Sequence, residues 1–131
     1  MVSLTFYGGI NEIGGNKILL EDKKDRIFLD FGMSFGTYFK YFDAYLQPRK
    51  LNGMGDFYEL GLLPKVGGIY RGDYLEWMGE KQTPLDCNGV FISHAHADHI
   101  GYVHFLREDL PIFATNESHK IMESVEETSG I

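Results

Sequence analysis

Ser93-His94-Ala95-His96-Ala97-Asp98-His99-Ile100-Gly101 holds three of the chain's five histidines and one carboxylate within six residues. It follows directly on the apolar run Gly89-Val90-Phe91-Ile92, the pattern of a short strand that delivers side chains at its end. With the backbone extended through His96, the period of two places the His94 and His96 imidazoles on the same side. Asp98 and His99 come where the chain has to turn, so they leave that line and reach a neighbouring position. Such a loop has donors for two ions, or for one ion and a water.

The residue types point to the kind of ion. Imidazole nitrogen and carboxylate oxygen suit borderline and hard divalent ions such as Zn²⁺, Mn²⁺ or Fe²⁺, and the lack of a thiolate argues against a closed structural zinc site. An open coordination position lets an ion lower the pKa of bound water to about 7, while a second ion steadies a leaving oxygen. A random chain of this composition would show His-x-His-x-Asp-His in roughly one case in two thousand.

At 131 residues, 44% hydrophobic and 15% aromatic, the chain is long enough for one domain with a real core. The formal charge of −7 disfavours a broad, sequence-independent grip on a polyanion, which needs clustered Lys and Arg. The single cysteine, Cys87, excludes an internal disulfide and reads as a buried, inert thiol because no base adjoins it. Met1-Val2-Ser3-Leu4-Thr5 has neither a basic leader region nor a long apolar core, and no apolar run approaches the ~18 residues of a membrane span. The expectation is a cytoplasmic, globular chain without membrane contact.

Residues 3–7, 16–21 and 26–31 read as three strands of a β-meander, the last two closed by the polar turn Asp22-Lys23-Lys24-Asp25. Between the first two lies Gly8-Gly9-Ile10-Asn11-Glu12-Ile13-Gly14-Gly15-Asn16, whose glycines permit left-handed or close-approach backbone. It has no Lys-Ser/Thr and no helix after it, so it is neither a phosphate loop nor a dinucleotide fingerprint. Residues 36–84 are aromatic and broken by Gly, Pro48 and Pro64, which predicts loops and short helices packed on the scaffold. Arg49, Lys50, Lys65 and Arg71 interleaved with tyrosines are a candidate nucleotide clamp, set against local core with snorkelling cations. Ile100, Val103 and Leu106 predict a helix of about three turns, with its first turn aimed at the ligand loop. Ile112-Phe113-Ala114 predicts a short strand. Thr115-Asn116 opens a last helix carrying Ile121, Met122 and Val125 before Gly130. His104 and His119 read as surface or half-buried histidines.

The His-x-His-x-Asp-His stretch resembles the signature of the metallo-β-lactamase superfamily. The glycine loop, as Gly-Gly-x-x-Glu-Ile-Gly-x-Asn before the second strand, resembles the β-CASP branch and in particular ribonuclease J-like enzymes. The resemblance covers nearly all 131 residues, with the aromatic middle matched least specifically. It implies an α/β (αββα metallo-β-lactamase) fold, of which residues 1–131 form the N-terminal portion: the first half of the four-layer sandwich, with a largely antiparallel or mixed sheet and flanking helices. It implies that His94, His96, Asp98 and His99 bind one or two divalent ions, zinc first and manganese next. It implies that Asp98 also holds the attacking water, and that Asp30, in Phe28-Leu29-Asp30-Phe31-Gly32, supports the metal loop through hydrogen bonds. The activity implied is metal-dependent RNA hydrolysis, with a small thioester, lactam or phosphodiester as the other substrate class and a non-catalytic, metal-binding fragment as the third reading.

In that superfamily a further His, a bridging Asp and another His come from later strands, and the β-CASP domain follows. The expectation is therefore an incomplete catalytic unit with an uncovered apolar sheet face, which associates with a second copy or with a chain carrying the remainder.

Overall fold

The computed structural model describes residues 1–43 and 45–129. Strands β1 (Val2–Gly8), β2 (Lys17–Asp22) and β3 (Asp25–Leu29) form an antiparallel meander. The second hairpin closes in two residues because Lys23 takes a left-handed φ of 57°. Strands β4 (Gly89–Phe91) and β5 (Ile112–Phe113) then add in parallel, giving one five-stranded mixed sheet of order β1-β2-β3-β4-β5. The chain is α/β.

Alternation sorts the side chains onto two unlike faces. Lys17, Leu19, Phe28 and Val90 point to the inner face and are buried under the segments that connect the parallel strands. Those segments supply the rest of the core, including Phe31, Met54, Leu63, Ile69, Tyr70, Tyr102 and Phe105. On the outer face the pairs Leu4↔Leu20, Phe6↔Ile18, Ile18↔Leu29, Leu29↔Phe91 and Phe91↔Phe113 make a continuous apolar surface. Leu4, Phe6, Phe91 and Phe113 remain 51, 48, 46 and 47% exposed there, so no element of the described residues covers this face.

The long β3–β4 connection contains α1 (Phe35–Tyr41), a 3-10 turn (Lys50–Asn52), α2 (Gly55–Glu59) and α3 (Gly72–Trp77). As the composition predicts, these are short pieces. They are held by an aromatic cluster in which Phe57 meets Tyr38, Phe42, Tyr102 and Phe105 at 4.9–6.4 Å between ring centroids. Three of the four basic residues are engaged next door: Arg49 is forked onto Asp56, Arg71 onto Asp73, and Lys65 lies over the Tyr58 ring. Of the two readings of this segment, the structure follows local core with satisfied cations.

Three boundaries depart from expectation. Strand β3 ends at Leu29, before Asp30 and Phe31, and β4 ends at Phe91, so the ladder stops short of His94 and His96, although His96 keeps extended dihedrals (φ -88°, ψ 148°). The helix expected from Ile100, Val103 and Leu106 divides into α4 (Ala97–Ile100) and a 3-10 turn (Val103–Phe105). A spacing of three is also the 3-10 period, and Tyr102 leaves the helix to bury its ring and donate its N–H to Phe31 O at 3.1 Å. A helix of four residues has no appreciable dipole to aim, which removes that part of the expectation.

The last helix, α5 (Asn116–Ser129), begins as expected, with Thr115 Oγ1 accepting from Ser118 N–H at 3.2 Å. Its Ile121 and Val125 are each 50% exposed, and Gly130 lies outside the described residues.

Candidate metal centre

Because β3 and β4 run parallel, their C-terminal ends open at the same edge of the sheet. Asp30 follows β3 there, and Ser93 lies just beyond β4. Asp30 N–H donates to Phe91 O at 2.8 Å, and the residue then turns with φ 59°, a conformation that Asp tolerates better than most residues. That turn carries its buried carboxylate across the end of β4. Oδ1 accepts from Ser93 N–H and Oδ2 from Ser93 Oγ–H, both at 2.7 Å. Oδ2 also lies 2.7 Å from His99 Nδ1.

This network assigns the imidazole protons. A carboxylate only accepts, so His99 Nδ1 carries a proton toward Asp30, and in the neutral ring Nε2, 3.5 Å from Asp98 Oδ2, is the nitrogen left to bind an ion. The single Ser93 hydroxyl proton goes to Asp30, so Ser93 Oγ accepts from His94 Nδ1–H at 3.0 Å. In the neutral His94 ring, Nε2 is likewise the nitrogen left to bind an ion. The His94 ring centroid lies 4.0 Å from that of His99 and 4.7 Å from that of His96. His94 and His96 are exposed, while Asp98 and His99 are half-buried.

The loop from Gly8 to Asn16 and the exit of β3 wrap the backbone of this turn. Gly15 N–H donates to Asp98 O at 2.8 Å, Phe31 N–H to His99 O at 3.0 Å, and Met33 N–H to Ala97 O at 3.1 Å. A methyl group at Gly32 would sit 1.8 Å from Asp98 O, and one at Gly14 would sit 2.3 Å from Asp98 Cβ, so glycine is required for this approach. Glu12 closes the loop on itself, accepting from Gly9 N–H at 2.8 Å and from the Ser34 hydroxyl.

The structure therefore gathers His94, His96, Asp98, His99 and Asp30 at one edge, with the His94 and His96 rings exposed to solvent and Asp98 and His99 half-buried behind them. Among the described residues no three such side chains already stand as a complete metal cage. His104 packs its ring 4.0 Å from Phe105, and burial holds it below the ordinary imidazole range. His119 is exposed on α5 beside Glu123. Neither joins the cluster. Cys87 is buried, its thiol pushed up by that burial. Sequence reasoning overlooked Ser93, Glu12 and Lys17; a charged residue in phase with Leu19 on the buried face of β2 was a readable signal for the last.

The class so defined is an α/β chain presenting a histidine–aspartate cluster at the ends of parallel strands. No family model matches it. The chain is 31% identical to ribonuclease J from three strains of Helicobacter pylori over 132 aligned positions, which cover 99% of this chain and 15% of each relative. It is also similar to a crystal structure from Enterococcus faecalis V583 described as a protein of unknown function. The TM-score is 0.69 and the identity 26%, over 97% of this chain and 28% of that one. The chain thus resembles ribonuclease J along its length while spanning about a seventh of it.

Proposed function

We propose that residues 1–131 are the N-terminal portion of a metallo-β-lactamase-type domain of the β-CASP, ribonuclease J-like kind, acting in the cytoplasm on RNA phosphodiesters. The observation that supports this is the Asp30–Ser93–His94/His99 network, which engages Nδ1 of two neighbouring imidazoles and leaves their Nε2 atoms for an ion, that of His99 lying 3.5 Å from Asp98 Oδ2. Buried carboxylates that orient ligand histidines in this way are typical of metal sites.

The donor set fits a divalent ion, zinc first and manganese next. His94, His96, Asp98 and His99 would hold it, with Asp30 and Ser93 directing the two oriented rings. A bound divalent ion supplies Lewis acidity toward a phosphoryl oxygen and acidifies water near neutral pH. Asp98, whose Oδ2 lies 3.5 Å from His99 Nε2, would be the carboxylate that accepts a proton from water at this edge. The glycine cradle keeps Asp98 there by holding its backbone from two sides.

The exposed outer face, from Leu4 to Phe113, supports a second part of the reading: this portion packs against the remainder of its domain or against a second copy. The isolated chain should then hydrolyse RNA slowly or not at all, and a C-terminal remainder added in trans should restore cleavage. A 5′-labelled single-stranded RNA with Mn²⁺ or Zn²⁺ tests this, with His96→Ala as control. Robust cleavage by the isolated chain that vanishes in His96→Ala would overturn the incomplete-unit reading. No restoration by the remainder, together with unchanged metal uptake in His96→Ala, would overturn the nuclease reading.

A further inference from the structure

Lys17 is a buried cation that, among the described residues, has no carboxylate in ion-pair contact and feels Glu12 only from a distance. The side chain is 1% exposed, on the inner face of the sheet beside Leu19. Its Nζ donates to Gly15 O and Gly32 O, each at 3.0 Å, and lies 5.5 Å from the centre of the Tyr102 ring. An apolar residue would continue the buried row of β2, so a desolvated ammonium here conflicts with its local setting and calls for a role.

The two carbonyls it joins belong to the two segments that grip the Asp98–His99 turn. Gly15 uses its N–H to hold Asp98 O, and its own carbonyl goes to Lys17. Gly32 presents the Cβ-free surface on which Asp98 O rests, and its carbonyl also goes to Lys17. Gly32 N–H in turn donates to Asn16 O at 3.0 Å, which closes a ring of contacts around the ammonium. We propose that Lys17 is the positioning residue of this centre: it ties the glycine loop to the β3 exit so that both hold the Asp98–His99 turn in register with Asp30.

A hydrocarbon of equal length would leave both carbonyls buried without a partner, and the loop could then part from the strand exit. Lys17 touches no metal or substrate and acts only through Gly15 and Gly32. The inference rests on the reading that Asp98 and His99 are metal ligands.

The test compares Lys17→Met, which keeps the unbranched stem, with Leu63→Ala as a core control and His96→Ala as a ligand control. Two quantities are read: the zinc dissociation constant, and amide hydrogen exchange at Gly15 followed by ¹⁵N NMR. Lys17→Met is expected to weaken zinc about 10-fold or more, the usual effect of losing support for a ligand, and to speed Gly15 exchange. Leu63→Ala should leave zinc affinity within about 2-fold of the parent. Parental zinc affinity and Gly15 exchange in Lys17→Met would overturn the proposal, as would equal loss of zinc in Leu63→Ala. Unchanged zinc uptake in His96→Ala would instead sink the metal reading, and Gly15 exchange alone would then decide whether Lys17 holds the cradle. Should Lys17→Met not fold, Lys17→Gln, which keeps one donor, is read by the same two criteria.

Discussion

Asp30 Oδ2 and His99 Nδ1 are 2.7 Å apart, although 69 positions separate the two residues in sequence. The same carboxylate takes both donors of Ser93, so one buried group orients two imidazoles at once. Its left-handed backbone makes the choice of residue narrow, since Asp and Asn adopt φ near 59° far more readily than other side chains.

Asp30→Asn is therefore the informative substitution. The backbone is kept, but the amide cannot accept from Ser93 N–H, Ser93 Oγ–H and His99 Nδ1–H together. Zinc affinity should fall about 10–100-fold, whereas His104→Ala and His119→Ala should leave it unchanged. Competition against a chromophoric chelator measures all three, and equal affinities would remove Asp30 from the centre.

Lys17 gives a pH signature in stability. Burial, opposed by the attraction of Glu12, pulls its pKa from 10.5 down to about 8. Between these values the unfolded chain binds more protons than the folded one, so stability rises with pH. The destabilising contribution is full below about pH 8 and is relieved progressively up to pH 10.5. The gain amounts to roughly 3 kcal/mol, taking 1.36 kcal/mol per pKa unit. Denaturant titrations of the parent against Lys17→Met should show this rise in the difference between the two. A flat difference from pH 8 to 10 would contradict it.

Gly32→Ala should destabilise by roughly 2–4 kcal/mol, because the new carbon meets the backbone oxygen of Asp98 at 1.8 Å and the backbone cannot yield as a flexible side chain would. Gly36→Ala, in α1 with nothing within 4 Å of the added carbon, should stabilise by about 0.5–1 kcal/mol through helix propensity. Thermal unfolding of the pair checks both signs.

The outer sheet face should make the isolated chain self-associate. Sedimentation velocity is expected to show a concentration-dependent increase in the parent and its loss in Phe113→Lys, which removes one of the stacked pair Phe91 and Phe113, 4.8 Å apart. A parent that stays monomeric at all concentrations would show that the face is tolerated in water.

The first three strands were legible because residues 3–7 alternate, residues 16–21 are β-rich and the turn between Asp22 and Asp25 is short, so their pairing is local. The parallel pairing of β3 with β4 was not, since nothing in Phe28 or Val90 names a partner some sixty positions away. That pairing brings Ser93 to Asp30, which is why the His-x-His-x-Asp-His cluster could be picked out from its own spacing while the contact of Ser93 with Asp30 was missed. The helix after the loop was misjudged for another reason: Ile100, Val103 and Leu106 fit the 3-10 period as well as the α period.

The position of the centre at the ends of β3 and β4 has a consequence for the order of events during folding. The β-meander can form as soon as the first thirty residues leave the ribosome, but Asp30 must then wait for Ser93, 63 positions later. Closing so long a segment is slow relative to hairpin formation. Until it closes, His99 Nδ1 lacks its Asp30 partner and His94 Nδ1 lacks a Ser93 hydroxyl directed by Asp30. The Asp30–Ser93 contact should therefore form after the meander, and, on the reading that this edge binds a divalent ion, zinc uptake followed in time would serve as a clock for the docking of β4 onto β3.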